Sequence, residues 1–394
     1  MLRHLLPSTK WITPPARIRY LSAATNPAKT IPRIACHLPS RTLIHVHGLD
    51  ATRFLQGLLT NDVERKLQSP GTAMFCHLLN NKGRSMFEAF VATPSKDCEL
   101  SSADANVASY LLECHVEVSA KLVKHLKMHK LRSKVNITSL EESYDVWWSS
   151  YDGTKDVATD IACSFEDPRA PTLGHRTFTA KGSTPLLESE DTESSASSSV
   201  FATYDMLRIL HGALEGTEVD GIIPLESNID WLNGVVFDKG CYLGQELTAR
   251  THYRGLLRKR CFPIIFENKN AEDSIPLPAL VLSPGEAQDV AYGTVAMGAK
   301  VGIAYGGESV SRGTNVLNEG KKRAGKLMTE RSELFNVGIA MLRLEHVLGV
   351  EKDVVEEDGG GEEMTDELPE RLLTIANNDR STPTLVVRPV IRRG

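Results

Sequence analysis

From Arg258 to the C-terminus the chain consists largely of short β-prone runs punctuated by glycine and proline, a pattern that strands can use and long helices cannot. The runs Cys261 to Phe266, Ala279 to Leu282, Gly325 to Met328, Val337 to Leu344 and Thr384 to Ile391 recur at short spacing. Strands so arranged predict a small β-barrel over residues 258–394. An acidic, glycine-bearing insert at residues 351–370 interrupts it, and like charges at that density repel one another into solvent.

The first half mixes two periodicities. Thr42 to His47 alternates as a strand, and Asp50 precedes Phe54, Leu55, Leu58 and Leu59 at helical spacing, which predicts a helix over 50–61. Met74 to Leu79 and Ser85 to Ala92 flank Asn80-Asn81-Lys82-Gly83 as a hairpin. Val107 to His129, with Leu111, Leu112, Val116, Leu122, Val123 and Leu126, reads as one broken or two consecutive helices, and Lys134 to Ile137 and Tyr144 to Trp148 as strands. A helix near Thr203 presents Met206, Leu207, Leu210 and Leu214 on one face. Residues 36–182 and 200–257 therefore form one α+β region rather than a regular βαβ winding. Ser183 to Ser199, rich in Ser, Glu, Asp and Thr, reads as a disordered loop between its two parts.

Charge is small overall, at -5, so no global field argues for nucleic acid or an anionic membrane. No apolar run approaches the roughly 20 residues that a membrane span needs. The average hides an asymmetry: Arg3, Lys10, Arg17, Arg19, Lys29, Arg33 and Arg41 all precede the first acidic residue, Asp50. Basic, Ser/Thr-bearing and acid-free, residues 1–35 read as a mitochondrial transit peptide, which predicts a matrix protein. The seven cysteines (Cys36, Cys76, Cys98, Cys114, Cys163, Cys241 and Cys261) include no C-x-x-C pair, as expected of free thiols in a reducing compartment. Any metal site would then take one ligand from this chain and the rest from a partner.

The most informative string is Asp238-Lys239-Gly240-Cys241-Tyr242-Leu243-Gly244-Gln245-Glu246. Gly240 and Gly244 permit a tight backbone path that leaves the intervening thiol accessible. Lys239 stands two residues before Cys241, where a cation favours the thiolate that attacks electrophiles or binds metal. A loop cysteine with no chemical role is the competing reading. His45 and His47 lie on one strand face without further ligands, a pattern more often structural than metal-binding. Arg250, Arg254, Arg258, Lys259 and Arg260 form a basic stretch that is either a solvated rim or a receiver for an acidic partner or a polyglutamyl tail.

Pro224-Leu225-Glu226-Ser227-Asn228, Asn233-Gly234-Val235 and the run Lys239 to Arg250 resemble the signature of the YgfZ/GcvT-like folate-binding proteins, the superfamily of the glycine cleavage T-protein. Within that superfamily the string is most similar to the mitochondrial iron–sulfur cluster assembly branch. The resemblance runs from about Arg41 to Arg343 and includes Asp167-Pro168-Arg169 and Gly174-His175-Arg176. It implies interleaved α+β domains with a C-terminal β-barrel around a central cavity that holds tetrahydrofolate. It further implies a factor that matures 4Fe–4S proteins with A-type iron–sulfur carriers of the matrix, Cys241 sharing a cluster with that partner. Lys239, Gly240, Tyr242, Gly244, Gln245 and Glu246 are the motif residues that support the cysteine.

Transferases of the superfamily carry an Asp-Asp pair in the hairpin after the glycine turn, where this chain has Phe87 and Glu88. Their pterin-binding glutamate position is held by Leu210. Glu215, one turn later, is the candidate substitute, so Glu88, Glu215 and Arg250 are the expected folate contacts. Folate-dependent aminomethyl transfer is the alternative activity, and the missing Asp pair weighs against it.

Overall fold

A strand buried on both faces has no polar side to alternate with, and several strands of this protein are of that kind. The computed structural model describes residues 35–150, 161–185, 198–268, 312–317, 322–330, 337–347, 373–375 and 385–389, apart from 103, 105 and 256. The proposed leader apart from Ala35, most of the Ser-rich loop, the run Ala279 to Leu282 and the acidic insert lie outside the described residues.

Strands β1 (Ala35–His37) and β2 (Arg41–Gly48) come first, followed by helices α1 (Ala51–Gln56) and α2 (Val63–Lys66) and the hairpin β3 (Ala73–Leu79) and β4 (Ser85–Ala92). Next are β5 (Ala108–His115), α3 (Val116–Lys130), β6 (Asn136–Ser139), β7 (Tyr144–Ser149), β8 (Ile161–Glu166) and β9 (His175–Ala180). Five strands form an antiparallel sheet in the order β3-β4-β5-β2-β6, and four form a second in the order β1-β7-β9-β8. Side chains alternate across the first sheet with period two. Ile44, Val46, Met74, Cys76 and Leu112 face α1 to α3, whereas Leu43, Phe75, Phe90 and Leu111 face the second sheet through Val146, Trp148, Phe165 and Phe178. Helix α4 (Ser198–Leu210) closes that second core with Tyr204 and Leu207.

The region expected to be helical from Val107 is half strand. Leu111 and Leu112 enter opposite cores because helices cover one face of this sheet and the second sheet covers the other, and a strand apolar on both faces imitates a helical run. The helical stripe proper is Val118, Leu122 and Leu126 of α3. Helix α1 also stops earlier than expected, at Gln56. Asp50 does not cap it; the Asp50 carboxylate accepts instead from the Lys134 N–H at 2.7 Å.

The C-terminal third closes as the expected barrel. Its strands β10 (Lys259–Asn268), β11 (Asn315–Leu317), β12 (Arg323–Leu327), β13 (Val337–Arg343), β14 (Leu373–Ile375) and β15 (Leu385–Pro389) run around it in the order β10-β13-β12-β11-β14-β15. Phe262, Ile264, Phe266, Leu327, Ala340 and Leu342 fill its core. Strands β11 and β14 escaped the sequence reading because three residues each carry no periodicity.

His45, His77 and His125 are buried and held uncharged, each lowered to about 4, chiefly by desolvation. Below the ordinary histidine value of about 6.5 the unfolded chain takes up protons that the folded one refuses, so stability is expected to fall as pH drops from about 6.5 towards 4. Urea denaturation at a series of pH values measures this. His77→Gln, which keeps a partner for Ser85 (Nδ1 to Oγ 2.8 Å), should make the decline shallower.

Candidate functional site

The cysteine loop is built from its two ends inward. On one side Lys239 is buried beneath the loop, and its ammonium donates to the carbonyls of Gln56 (2.8 Å), Leu59 (2.8 Å) and Asn61 (2.7 Å). These carbonyls lie at and just beyond the C-terminal end of α1, where the helix leaves acceptors without internal partners. The Lys239 ammonium also lies 5.0 Å from the Tyr242 ring, and desolvation lowers it to about 8. All three ammonium hydrogens are engaged by backbone oxygens, which places Lys239 as an anchor beneath the loop. On the other side the Leu243 N–H donates to Gly57 O at 2.9 Å.

Gly244 then turns the chain into helix α5 (Gln245–Tyr253) at φ 78°. A Cβ there would stand 2.5 Å from Asn80 O and 3.0 Å from Gly83 Cα. Gly83, at φ 76°, returns the contact, since its own Cβ would meet Leu247 Cβ at 2.5 Å and Gly244 O at 2.7 Å. The turn of the β3–β4 hairpin therefore rests directly on the cysteine motif, glycine against glycine. Gly240 has no such need, because nothing lies within 4 Å of a Cβ placed on it. Gly244→Ala is accordingly expected to cost about 2–4 kcal/mol by strain and clash, and Gly240→Ala less than about 1 kcal/mol. Paired thermal melts compare them.

Between these anchors Cys241 is exposed. It is the only exposed cysteine of the seven: Cys98 is half-buried and the other five are buried. Burial pushes the thiols of Cys36, Cys114 and Cys163 up to about 12, and those of Cys76 and Cys261 up as well, so none of these is a ready thiolate. Gln245 and the exposed Glu246 form the first turn of α5, and Tyr242 is buried under the loop. Among the described residues no three His, Cys, Asp or Glu side chains are grouped to hold a metal ion. His45 and His47 stack with ring centroids 4.3 Å apart, and His45 Nε2 pairs with Ser109 Oγ at 2.8 Å, a structural arrangement.

The two candidate folate carboxylates come together elsewhere, in a buried network between the sheets. Glu88 accepts from Arg41 through both oxygens (2.6 and 3.2 Å) and from the Gly216 N–H (3.1 Å). Glu215 accepts from Arg169 at 2.7 Å and the Tyr204 hydroxyl at 2.5 Å, and lies 3.6 Å from Arg41. Arg176 pairs with Glu113, and Asp167 binds Arg169 at 2.8 Å. The three guanidiniums surround Phe90, at 4.0 Å for Arg176, 4.7 Å for Arg169 and 5.8 Å for Arg41. These cations hold the Glu215 carboxyl well below its usual range, although burial opposes them. Ion-paired inside the protein, Glu88 and Glu215 do not offer the open carboxylate edge that a pterin needs. Arg250 is exposed on α5 and takes no part in this network.

The sequence alone assigns no role to Arg41, Glu113, Arg169, Arg176 or Tyr204. The available signal was a charged residue inside an apolar strand, as at Glu88 and Glu113, because such a residue is buried only when paired. Arg260 is likewise not on the basic rim: it is buried, pairs with Asp230 at 2.9 Å and lies 3.9 Å over Trp231. Asn228 of the Pro-Leu-Glu-Ser-Asn run, left-handed at φ 64°, ties Gly212 O (3.1 Å) to Cys261 O (2.9 Å) and so joins the α+β region to the barrel.

Two antiparallel sheets packed face to face, followed by a closed six-stranded barrel, place the protein in the fold class of the glycine cleavage aminomethyltransferases. The solved glycine cleavage system aminomethyltransferase T of Bartonella henselae superposes with a TM-score of 0.57 at 11% identity, covering 91% of this chain and 85% of that one. Residues 258–365 match the family model described as CAF17, C-terminal beta-barrel domain. Curated relatives narrow the class. The mitochondrial iron–sulfur cluster assembly factor IBA57 homolog of Coccidioides immitis is 36% identical over 323 residues, which are 78% of this chain and 71% of that protein. The homologs of Aspergillus clavatus (33% identical; 78% of this chain, 69% of that one) and Mycosarcoma maydis (31% identical; 83% and 77%) carry the same name. The chain belongs to the IBA57 family of mitochondrial iron–sulfur cluster assembly factors.

Proposed function

We propose that this protein supports the maturation of mitochondrial 4Fe–4S proteins as a binding factor rather than an enzyme, with the Cys241 thiolate offered to a cluster that a partner carries. The observation that carries the reading is the contrast between one exposed cysteine on a doubly anchored loop and six buried or half-buried ones. A thiolate is a ligand that iron takes, and a single one is too few for a cluster. The remaining ligands come from the partner, for which A-type carriers of the matrix are the proposed class.

Tetrahydrofolate has no step in this reading, because Glu88 and Glu215 are ion-paired inside the protein. Phe87 also counts against aminomethyl transfer: its ring is buried against His125 on the helix side of the sheet, where no carboxylate orients a folate amine. An assay for methylenetetrahydrofolate formation is expected to register none.

The decisive experiment is anaerobic mixing of the mature chain with a cluster-loaded A-type carrier, followed by gel filtration with absorbance and iron analysis. A coloured, iron-bearing complex is expected with the wild-type chain and its loss with Cys241→Ser. A wild-type complex without iron would defeat the proposal.

A further inference from the structure

A second feature adjoins the cysteine loop. Phe237, four residues before Cys241, stacks on His252 of α5 with ring centroids 3.6 Å apart and planes 8° from parallel. Tyr253 meets His252 edge-on at 4.7 Å and is 66% exposed, one of the few large apolar side chains that the described surface displays. Arg250 and Arg254, which flank His252 and Tyr253 in sequence, are exposed. Over residues 245–259 the cations Arg250, Arg254, Arg258 and Lys259 face Glu246 as the sole acid, a local +3 in a chain whose net charge is -5. Asp238, on the same loop, is already paired with Arg65 at 2.9 Å.

Rigid aromatic rings beside arginines are the composition of an interface centre, since Tyr buries large area at low entropic cost and both Tyr and Arg are enriched among the residues that dominate binding energy. Three rings in mutual contact, one pair stacked and the third edge-on, are also ordered before any partner arrives. We infer that the Phe237–His252–Tyr253 platform with Arg250 and Arg254 is the docking surface for the cluster-carrying partner, which presents an acidic face to it and so brings its cluster to Cys241. The inference rests on the proposed function and deepens it. Charge selects an acidic occupant, and continuity with the Cys241 loop selects the carrier over an unrelated acidic protein.

The test uses the full mature chain and an A-type carrier, with binding kinetics measured at low and high salt. The double variant Arg250→Glu/Arg254→Glu is expected to weaken binding at least about tenfold, mainly through association rate, and to flatten its salt dependence. Tyr253→Ser is expected to speed dissociation by about tenfold. Each variant should keep the wild-type melting temperature and Cys241 alkylation rate, because none of these side chains anchors the loop. Cys241→Ser should still dock while losing the bound iron. Patch variants that bind like wild type with the wild-type salt slope would overturn the inference and leave the Cys241 reading standing. Patch variants that behave as expected beside a Cys241→Ser chain that retains iron would do the reverse. A patch that bound polyuridylate and ignored the carrier would also overturn it, as would a wild-type chain with no measurable affinity for the carrier.

Discussion

Cells in which Cys241→Ser replaces the wild-type chain are expected to lose mitochondrial 4Fe–4S enzyme activity at undiminished levels of the protein. The side chain is exposed, so exchanging sulfur for oxygen should alter stability by no more than about 0.5 kcal/mol. What disappears is the soft thiolate, and a neutral hydroxyl is a poor substitute at iron. The matched controls are Cys76→Ser and Cys114→Ser, which place a hydroxyl in a sealed apolar core and should cost about 1–3 kcal/mol while leaving cluster support per folded molecule intact. Rescue assays with each variant at equal expression separate the two effects. Full rescue by the Cys241→Ser chain would mean that the motif serves the backbone alone, and the shared-cluster proposal would fall.

Lys239→Met is expected to act on the same loop by a different route. Methionine fills the space of the lysine stem but supplies no donor, so the carbonyls of Gln56, Leu59 and Asn61 lose their shared partner. Unsatisfied buried acceptors cost about 1–3 kcal/mol each, and relief from burying a charge offsets part of this; a net loss of about 2–4 kcal/mol is expected. Lys239→Arg should not restore stability, because a planar fork cannot aim donors at three carbonyls converging on a point. Chemical denaturation reads the loss, and hydrogen exchange should show faster exchange in residues 57–61 and 238–244. The rate of Cys241 alkylation distinguishes anchoring from activation. If Lys239 served to stabilise the thiolate, Lys239→Met would slow alkylation at fixed pH; an anchor released leaves the rate unchanged or raises it.

Local order was well marked along the chain. The β3–β4 hairpin, β6, β7, the helical face of α4 and four of the six barrel strands follow from period and turn chemistry alone, with bounds shifted by a residue or a few. Strands β1, β8 and β9 and helix α2 carried no such mark, and three further exceptions have definite causes. Strand β5 borders two cores and lost the alternation that identifies a strand, and β11 and β14 are too short to show one. At the site, the Cys241 string was legible because a glycine with positive φ and a free thiol are properties of single residues. The roles of Glu88, Glu215, Lys239 and Arg260 were not, because each is defined by what it faces.

By itself the sequence determined many of the strands and helices, that a barrel follows an α+β region, and which thiol would lie within the one glycine-flanked motif. These depend on neighbours a few positions away, whose periodicity and backbone freedom are written locally. Only the tertiary structure decided where the charges point. Lys239 turns to carbonyls about 180 residues earlier in the chain, and Arg41 finds Glu88 two strands away in its own sheet and Glu215 on a segment beyond α4. A backbone oxygen has no letter in a sequence, and a buried ion pair joins residues that only packing brings within reach.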